Sequence, residues 1–339
     1  MSGTSLDGLD ICYVQFEYSN SWKHKILCAE TVSYSKFWED NLKNAIDYSA
    51  VQLLALNSEY GFYLGEKVHE FITKNQISEV DLIASHGHTI FHQPDKKFTT
   101  QIGDGRAIKE IVNFPVVYDF RSQDVLKGGN GAPLVPIGDD MLFSNFDACV
   151  NLGGFSNISF QYQSQRVAFD ICPVNIVLNL YAKKLGKSYD ENGEFARKGQ
   201  VAQELLIELN SIKFYKQNFP KSLGLEWVNE NILPLLSNYK PLDIITTCTQ
   251  HFADQISLVL NRYQLNKVLF SGGGAYNSYL MDLIRAQTTA EIVIGDKILT
   301  EYKEALIFAF MGVLRLRNEN NVLSSATGST SDHCSGILI

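Results

Sequence analysis

The sequence has no apolar run long enough to cross a membrane. Its longest, Ala305 to Leu314, is half of the roughly 20 residues a spanning helix needs. No basic-then-apolar leader opens it either: Met1 is followed by Ser2, Gly3, Thr4, Ser5 and soon Asp7. A cytoplasmic protein with no membrane partner is therefore expected. Positive charge is in short supply, with 29 Lys and Arg against 37 Asp and Glu and a formal net charge of −8. That balance argues against a nucleic-acid binder, which needs a basic face. The six cysteines (Cys12, Cys28, Cys149, Cys172, Cys248, Cys334) contain no CxxC pair. Reduced, mostly buried thiols are expected, and a structural zinc site is not. GxxxxGK[ST] and GxGxxG are both absent, which removes the P-loop and Rossmann fingerprints.

What is there describes a folded enzyme-sized chain. Hydrophobic residues make up 45% of the 339, with 20 Phe and 16 Tyr, so disorder is excluded. A chain of this length buries about three quarters of its unfolded surface and has room for about two domains. Leu9 to Tyr18 and Lys25 to Tyr34 read as a hairpin about a polar turn. A long helical pattern runs through Val51, Leu54, Phe62, Val68 and Phe71. A buried strand at Val80 to Ala84, a helix at Arg106 to Val112 and a strand at Pro115 to Asp119 complete this half. The second half restarts with strands at Asp147 to Leu152, Ser156 to Gln161 and Arg166 to Ile171. Helices near Val174 to Leu185 and Ala202 to Leu209 follow, then one through Phe252 and Tyr263. A strand at Lys267 to Phe270 and a helix at about Tyr302 to Arg317 come last. Each half thus opens with antiparallel strands and a glycine-containing turn, a duplication of architecture without a sequence repeat.

Three turns carry candidate chemistry. Ser2-Gly3-Thr4-Ser5 offers backbone N–H groups and hydroxyls to an anion, and Asp7 is placed to hold Mg²⁺ through water. Asn151-Leu152-Gly153-Gly154 with Ser156 and Asn157 is the second. Ser271-Gly272-Gly273-Gly274, between a strand and a helix, is the third. Each alone also reads as an ordinary turn. Asp170 ends an apolar strand and suits a general base, or else an N-cap for the helix after it. Glu304 opens an apolar helix, where it serves the helix dipole or a ligand hydroxyl. His86, His88 and His92 with Asp104 match no zinc spacing and read as polar loop residues of a ligand site. Arg121 leads a Gly-rich loop, Gly128 to Pro133, and suits an anionic group.

Taken in order, these blocks resemble the anhydro-N-acetylmuramic acid kinases. The likeness runs through Met1 to Asp10, Ser85 to His92, Gln101 to Gly105, Asp119 to Arg121 and Gly128 to Pro136. It continues at Asn151 to Gly154, Phe169-Asp170, Gly272 to Asn277, Glu304-Ala305 and Thr327-Gly328. The resemblance implies an α/β fold of the actin–hexokinase superfamily, two ribonuclease-H-like domains around an ATP cleft. It implies domains at 1–118 and 119–317, with 318–339 returning to the first. Gly3, Thr4, Ser5, Asp7 and Gly8 would form one phosphate loop and Asn151, Gly153 and Gly154 another. Gly272, Gly273 and Gly274 would form the adenosine turn, and Asp170 would be the catalytic base. His86, His92, Asp104, Arg121, Asn175 and Glu304 would face the sugar. The implied partners are ATP with Mg²⁺ and an anhydro amino sugar, and a homodimer is allowed. A phosphate loop of that fold lies between two strands, yet Met1 stands directly at the turn, so the first strand is expected to be lacking.

Departures fall on the sugar side. Ile171-Cys172 stands where the family has Thr-Gly, Leu223 and Leu225 replace the Thr and Arg of another motif, and His88 stands where Gln is common. A sugar kinase of the same fold with another substrate, a nucleotide-binding switch and an ATP-independent glycosidase are the competing readings. A base at Asp170 disfavours the switch, and three glycine turns disfavour the glycosidase.

Overall fold

The computed structural model describes every residue except Thr4, Ser5 and Asp7. The architecture is mixed α/β. Its strands are β1 (Leu9–Tyr18), β2 (Trp22–Val32), β3 (Ile83–Ser85), β4 (His88–Gln93), β5 (Phe98–Ile102), β6 (Val116–Tyr118), β7 (Ala148–Leu152), β8 (Phe155–Tyr162), β9 (Gln165–Pro173), β10 (Lys267–Ser271), β11 (Glu291–Ile294) and β12 (Ile337–Leu338). Two compact units emerge. One is Met1–Leu142 with Tyr302–Ile339, the other Phe143–Glu301.

In the first unit β1 and β2 form an antiparallel hairpin, and the register shift after Tyr13 makes Leu27 an extra residue in β2. β3 pairs in parallel with β6, and β12 adds antiparallel to the far edge of β6. β4 and β5 form a separate hairpin that the sequence pattern does not suggest. Its residues, such as His88, Thr89, His92, Thr99 and Gln101, give no apolar run. The helix Ala50–Lys74 starts in a capping box between Ser49 and Gln52. Its Gly61 and Gly65 let the helix Gly105–Val112 come close, since a Cβ at Gly61 would lie 2.6 Å from the Asp104 carbonyl oxygen. In the helix Lys297–Leu316, Gly312 rests on β3, where a Cβ would stand 2.8 Å from that of Ala84.

The second unit is a five-stranded sheet in the order β11-β10-β7-β8-β9. β7, β8 and β9 are successive antiparallel neighbours, whereas β10 runs parallel to both β7 and β11. Helices Asn175–Lys184 and Pro241–Arg262 contribute Val177, Leu178, Phe252 and Ile256 to its core. Each such side chain stabilises the fold by about 1.5–3 kcal/mol when fully buried. None of the six cysteines is in a disulfide; Cys149, Cys172 and Cys248 are buried and the other three half-buried. Among the described residues no helix is long and apolar enough to cross a membrane.

Two distant stretches of the first unit are tied at Asp124, which is completely buried. Its carboxylate accepts the Gly131 N–H at 2.7 Å and the Thr327 hydroxyl at 2.7 Å. A Cβ on Gly129 would fall 2.2 Å from the same carboxylate, so the loop closes only with glycine there. The Thr327-Gly328 pair therefore holds the Gly-rich loop in shape. Asp124→Ala strands two buried donors, and we expect a loss of about 2–4 kcal/mol. A fall in thermal midpoint of several degrees would show it, and an unchanged midpoint would remove Asp124 from this role.

Candidate active site

The site is built outward from the register of β7 and β10. Asn151 pairs with Ser271, so the carboxyl ends of two adjacent parallel strands lie side by side. Ligands of α/β sheets gather at such strand ends. Each strand runs directly into a glycine turn, Gly153-Gly154 after β7 and Gly272-Gly273-Gly274 after β10.

The five glycines divide sharply by cause. Gly272 has φ +82°, and a Cβ there would lie 2.5 Å from Asn151 Oδ1 and 2.9 Å from the Leu152 carbonyl. Gly274 would place a Cβ 2.8 Å from that of Leu152. Both are glycine because the second turn is pressed onto β7. Gly273, between them, has no atom within 4 Å of a Cβ, and Gly154 meets only Ile176 at 3.8 Å. Gly153 meets Asn151 Nδ2 at 3.4 Å, an ordinary contact, and none of these three has positive φ. Neither packing nor backbone conformation requires glycine at Gly153, Gly154 or Gly273. Bare backbone at those positions suits close approach by a ligand. Asn175 joins this cluster: its Nδ2 donates to the Leu152 carbonyl at 3.4 Å. The first amides of its helix are satisfied by Gly154, whose carbonyl accepts from Val174 at 2.8 Å and Ile176 at 3.2 Å.

Asp170 lies on β9 opposite Asn157. The next pair is Ser156 with Cys172, so Ile171 is an extra residue, a bulge directly beside the carboxylate. Bulges re-aim neighbouring side chains. The helix N-cap is Val174, without a side-chain cap, so Asp170 does not serve as the cap. Instead its Oδ2 accepts the Leu223 N–H at 2.8 Å, and its own N–H donates to the Lys221 carbonyl at 3.2 Å. Burial pushes the Asp170 carboxyl up from its ordinary value, opposed by the Leu223 N–H and the Lys221 charge. Burial in turn lowers Lys221, whose ammonium lies 4.6 Å from the Phe214 ring centroid. Lys221 and Leu223 lie some fifty residues from Asp170 in sequence, and only the family-like segment Pro220-Lys221-Ser222-Leu223-Gly224-Leu225-Glu226 marks the place. The departures Ile171 and Cys172 are both buried in the core.

In the first unit His86, Arg121 and Glu304 come together. Arg121 Nε donates to His86 Nε2 at 2.8 Å, and its Nη1 donates to the Gly131 carbonyl at 2.6 Å. His86 Nδ1 lies 2.9 Å from the Gly87 carbonyl. These partners fix a neutral ring with the proton on Nδ1. Burial, then the Arg121 charge, holds His86 well below its ordinary pKa. An Nε2 engaged by arginine cannot ligate a metal, and among the described residues no three His, Cys, Asp or Glu side chains converge. Burial lowers Arg121 to about 10, opposed by Glu304 and Asp124, so it stays charged at neutral pH. Glu304 keeps an exposed surface yet is surrounded by protein atoms, which raises its carboxyl against the pull of Arg121. It sits in the third turn of its helix rather than opening it, because the helix begins at Lys297. The helix-dipole reading of Glu304 therefore fails.

The remaining candidates are less alike. Asp104 is buried and caps the helix Gly105–Val112, accepting the Arg106 N–H at 2.9 Å and pairing with its guanidinium at 2.6 Å. His92 is exposed on β4, its Nδ1 3.2 Å from Thr99 Oγ1. Thr4, Ser5 and Asp7 lie outside the described residues. The residues on either side are firmly held. Ser2 Oγ is 2.8 Å from His88 Nδ1 and accepts the Tyr34 hydroxyl at 2.7 Å, which is 2.7 Å from that of Tyr60. Gly8 permits no side chain, since a Cβ would lie 2.8 Å from the Val32 carbonyl oxygen. His88 and Ser2 escape sequence reasoning as partners because they are 86 residues apart.

A family model described as anhydro-N-acetylmuramic acid kinase matches residues 1–339. An anhydro-N-acetylmuramic acid kinase of Bacillus cereus is 36% identical, with 97% of this chain and 95% of that protein covered. The protein of the same name from Bacillus thuringiensis subsp. konkukian is 35% identical over the same shares. Among solved structures, component A of the (R)-2-hydroxyglutaryl-CoA dehydratase of Acidaminococcus fermentans is 17% identical. It covers 60% of this chain and 81% of its own, with a TM-score of 0.35. The match over the full length, with the two curated relatives, makes this chain a member of the anhydro-N-acetylmuramic acid kinase family.

Proposed function

We propose that this chain uses ATP to open 1,6-anhydro-N-acetylmuramic acid with water and to phosphorylate O6. The products are N-acetylmuramic acid 6-phosphate and ADP, and the role is in cell-wall recycling. Family membership supports the reaction, and the observation that carries the chemistry is Asp170, held beside a bulge by a backbone N–H and a lysine. Water loses a proton to Asp170 as its oxygen bonds to C1. The C1–O6 bond breaks, and O6 bonds to the γ-phosphorus as the bond to ADP breaks. Positioning and charge stabilisation supply most of such a rate enhancement.

Gly153, Gly154 and Gly273 are assigned to the nucleotide, with Gly3, Thr4, Ser5, Asp7 and Gly8 as the further phosphate loop. Mg²⁺ would neutralise phosphate charge, arriving with the nucleotide, with Asp7 as its protein contact through water. Arg121, Glu304, His86, His92, Asp104 and Asn175 are assigned to the sugar, Asp104 also capping the helix Gly105–Val112. Each unit is read as ribonuclease-H-like. In the second, three successive antiparallel strands followed by two parallel ones support that reading.

With Mg²⁺-ATP, anhydro sugar and ¹⁸O-water, the purified protein should form ADP and a sugar phosphate labelled at C1. Asp170→Asn should lower turnover by about 10³-fold or more while ATP still binds. Label in phosphate, or near-normal turnover of the variant, would defeat the mechanism.

The pH profile has a definite sign. The base acts ionised, and its pKa is raised, so the acidic limb should lie above the ordinary carboxylate value of 3.8. Lys221→Met removes a charge that favours the ionised form, and the limb should move to higher pH. A shift to lower pH would contradict the pairing.

Gly273→Ala adds a methyl group that meets nothing in the protein. Its thermal midpoint should be unchanged or slightly higher, while ATP affinity falls by about tenfold or more. Unaltered affinity by calorimetry would take Gly273 out of the nucleotide site.

A further inference from the structure

The core of the second unit encloses one donor and one acceptor that no bond satisfies. The acceptor is on His251, a completely buried residue of the helix Pro241–Arg262. Its tautomer follows from its neighbours. Asp254 Oδ1 accepts from Gln250 at 2.8 Å and Gln287 at 3.0 Å, and its Oδ2 accepts from Asn210 Nδ2 at 3.2 Å. That contact turns the amide oxygen of Asn210 the other way. It accepts from Gln255 Nε2 at 2.8 Å and lies 2.6 Å from His251 Nδ1. An amide oxygen has no proton to give, so Nδ1 carries the hydrogen. Burial lowers the ring's pKa to about 3, which leaves Nε2 a bare lone pair. Among the described residues, nothing donates to that Nε2.

Tyr215 supplies the matching donor. It sits in the 3-10 turn Lys213–Lys216, its ring edge-on to that of His251 at a centroid distance of 4.8 Å. Its hydroxyl is enclosed and, among the described residues, has no hydrogen-bond partner. The hydroxyl and Nε2 are therefore neighbours that do not bond each other. The wholly buried thiols of Cys172 and Cys248 are the electrostatic neighbours of the same hydroxyl. Water suits such a place: it accepts from the tyrosine, donates to the imidazole and turns its second hydrogen to a sulfur.

The turn that carries Tyr215 also carries the support of Asp170. The carbonyl of Phe214 accepts Lys221 Nζ at 3.3 Å, and its ring lies 4.6 Å from that ammonium. The Lys221 carbonyl and the Leu223 N–H then hold Asp170, at 3.2 and 2.8 Å. Phe219 stacks on Phe169 at 5.6 Å and steadies the middle of the segment, while Tyr215 ties its start to the core. We propose that a buried water joins the Tyr215 hydroxyl to His251 Nε2, and that through this joint both residues position Asp170. They touch no reacting atom. They hold the turn, the turn holds Lys221, and Lys221 with Leu223 holds the carboxylate. Cys172, a departure from the family pattern, is thereby assigned to the support of Asp170.

The structural and exchange readouts stand apart from the kinase reading, and only the turnover readout rests on it. In a crystal structure that shows ordered water, one water should lie within hydrogen-bond distance of both the Tyr215 hydroxyl and His251 Nε2. A direct bond between the two, or no water touching both, overturns the joint. Tyr215→Phe keeps the ring and removes the hydroxyl. By NMR, the amides of Leu223 and Asp170 should exchange about tenfold or more faster in this variant, while those of Val268 to Phe270 keep their rates. In turnover, kcat should fall about tenfold with KM for the sugar unchanged. The acidic limb should move to higher pH, because the Leu223 N–H and the Lys221 charge both favour the ionised carboxylate. Cys172 is the other titratable group beside Asp170, and burial keeps it a neutral thiol. If Tyr215→Phe fails to fold, His251→Gln takes its place with the same expected result. Unchanged exchange at Leu223 and Asp170 in a folded variant overturns the positioning role, even where the melting midpoint falls. If the unaltered protein forms no sugar phosphate, the kinase reading fails while exchange still decides this one.

Discussion

The two glycine turns of the second unit hang on one contact, the seating of Gly272 and Gly274 against Asn151 and Leu152. It works only because β7 and β10 are parallel and in a register that ends both strands together. Parallel pairing sends two chain segments out of the sheet at the same end, and the missing side chains let the turns touch. A shift of one residue would turn every side chain of β10 to the other face of the sheet. Phe270 and Val268, now wholly buried, would then lose their places in the core. The hydrophobic core thus enforces the alignment of the polar turns.

The first unit reaches its polar order differently, by burial rather than by strand register. Burial holds His86 and His88 below their ordinary pKa, His88 to about 4. Both rings are therefore neutral and act as hydrogen-bonding pivots. His88 anchors Ser2, and His86 receives Arg121. The positive charge of this region is carried by Arg121, with Glu304 as its acidic neighbour. The two histidines and Arg121 keep one charge state through the neutral range, a property a solvent-exposed histidine pair would lack.

Much of this is legible in the residues. Stretches of strand-forming residues expose β1, β7, β8 and β9, and the glycine clusters mark the turns at Gly153 and Gly272. The hairpin of β4 and β5 is hidden because Thr, Gln and His stand where a core strand carries Val or Ile. Glu304 is misplaced by sequence reasoning because the first two turns of its helix, Lys297 to Lys303, are largely polar and resemble a loop. The partners of Asp170 are beyond reach for a more basic reason: no periodicity connects Asp170 with Leu223, and only the folded chain brings them together. Glycine composition alone likewise cannot separate Gly273, open on all sides, from Gly272 and Gly274, which the packing demands.

That separation has a thermodynamic meaning. A glycine in a conformation open to alanine leaves the unfolded chain with extra freedom, at about 0.4–1 kcal/mol per position. Gly153, Gly154 and Gly273 together leave the native state about 1–3 kcal/mol less stable than an alanine-bearing chain of the same fold. Against a typical net stability of about 5–15 kcal/mol this is a considerable share. The concession is confined to the turns themselves, since their neighbours Leu152, Ser271 and Ala275 are all buried. The second unit is thus held below its own attainable stability at the ends of its two parallel strands, where backbone is left bare.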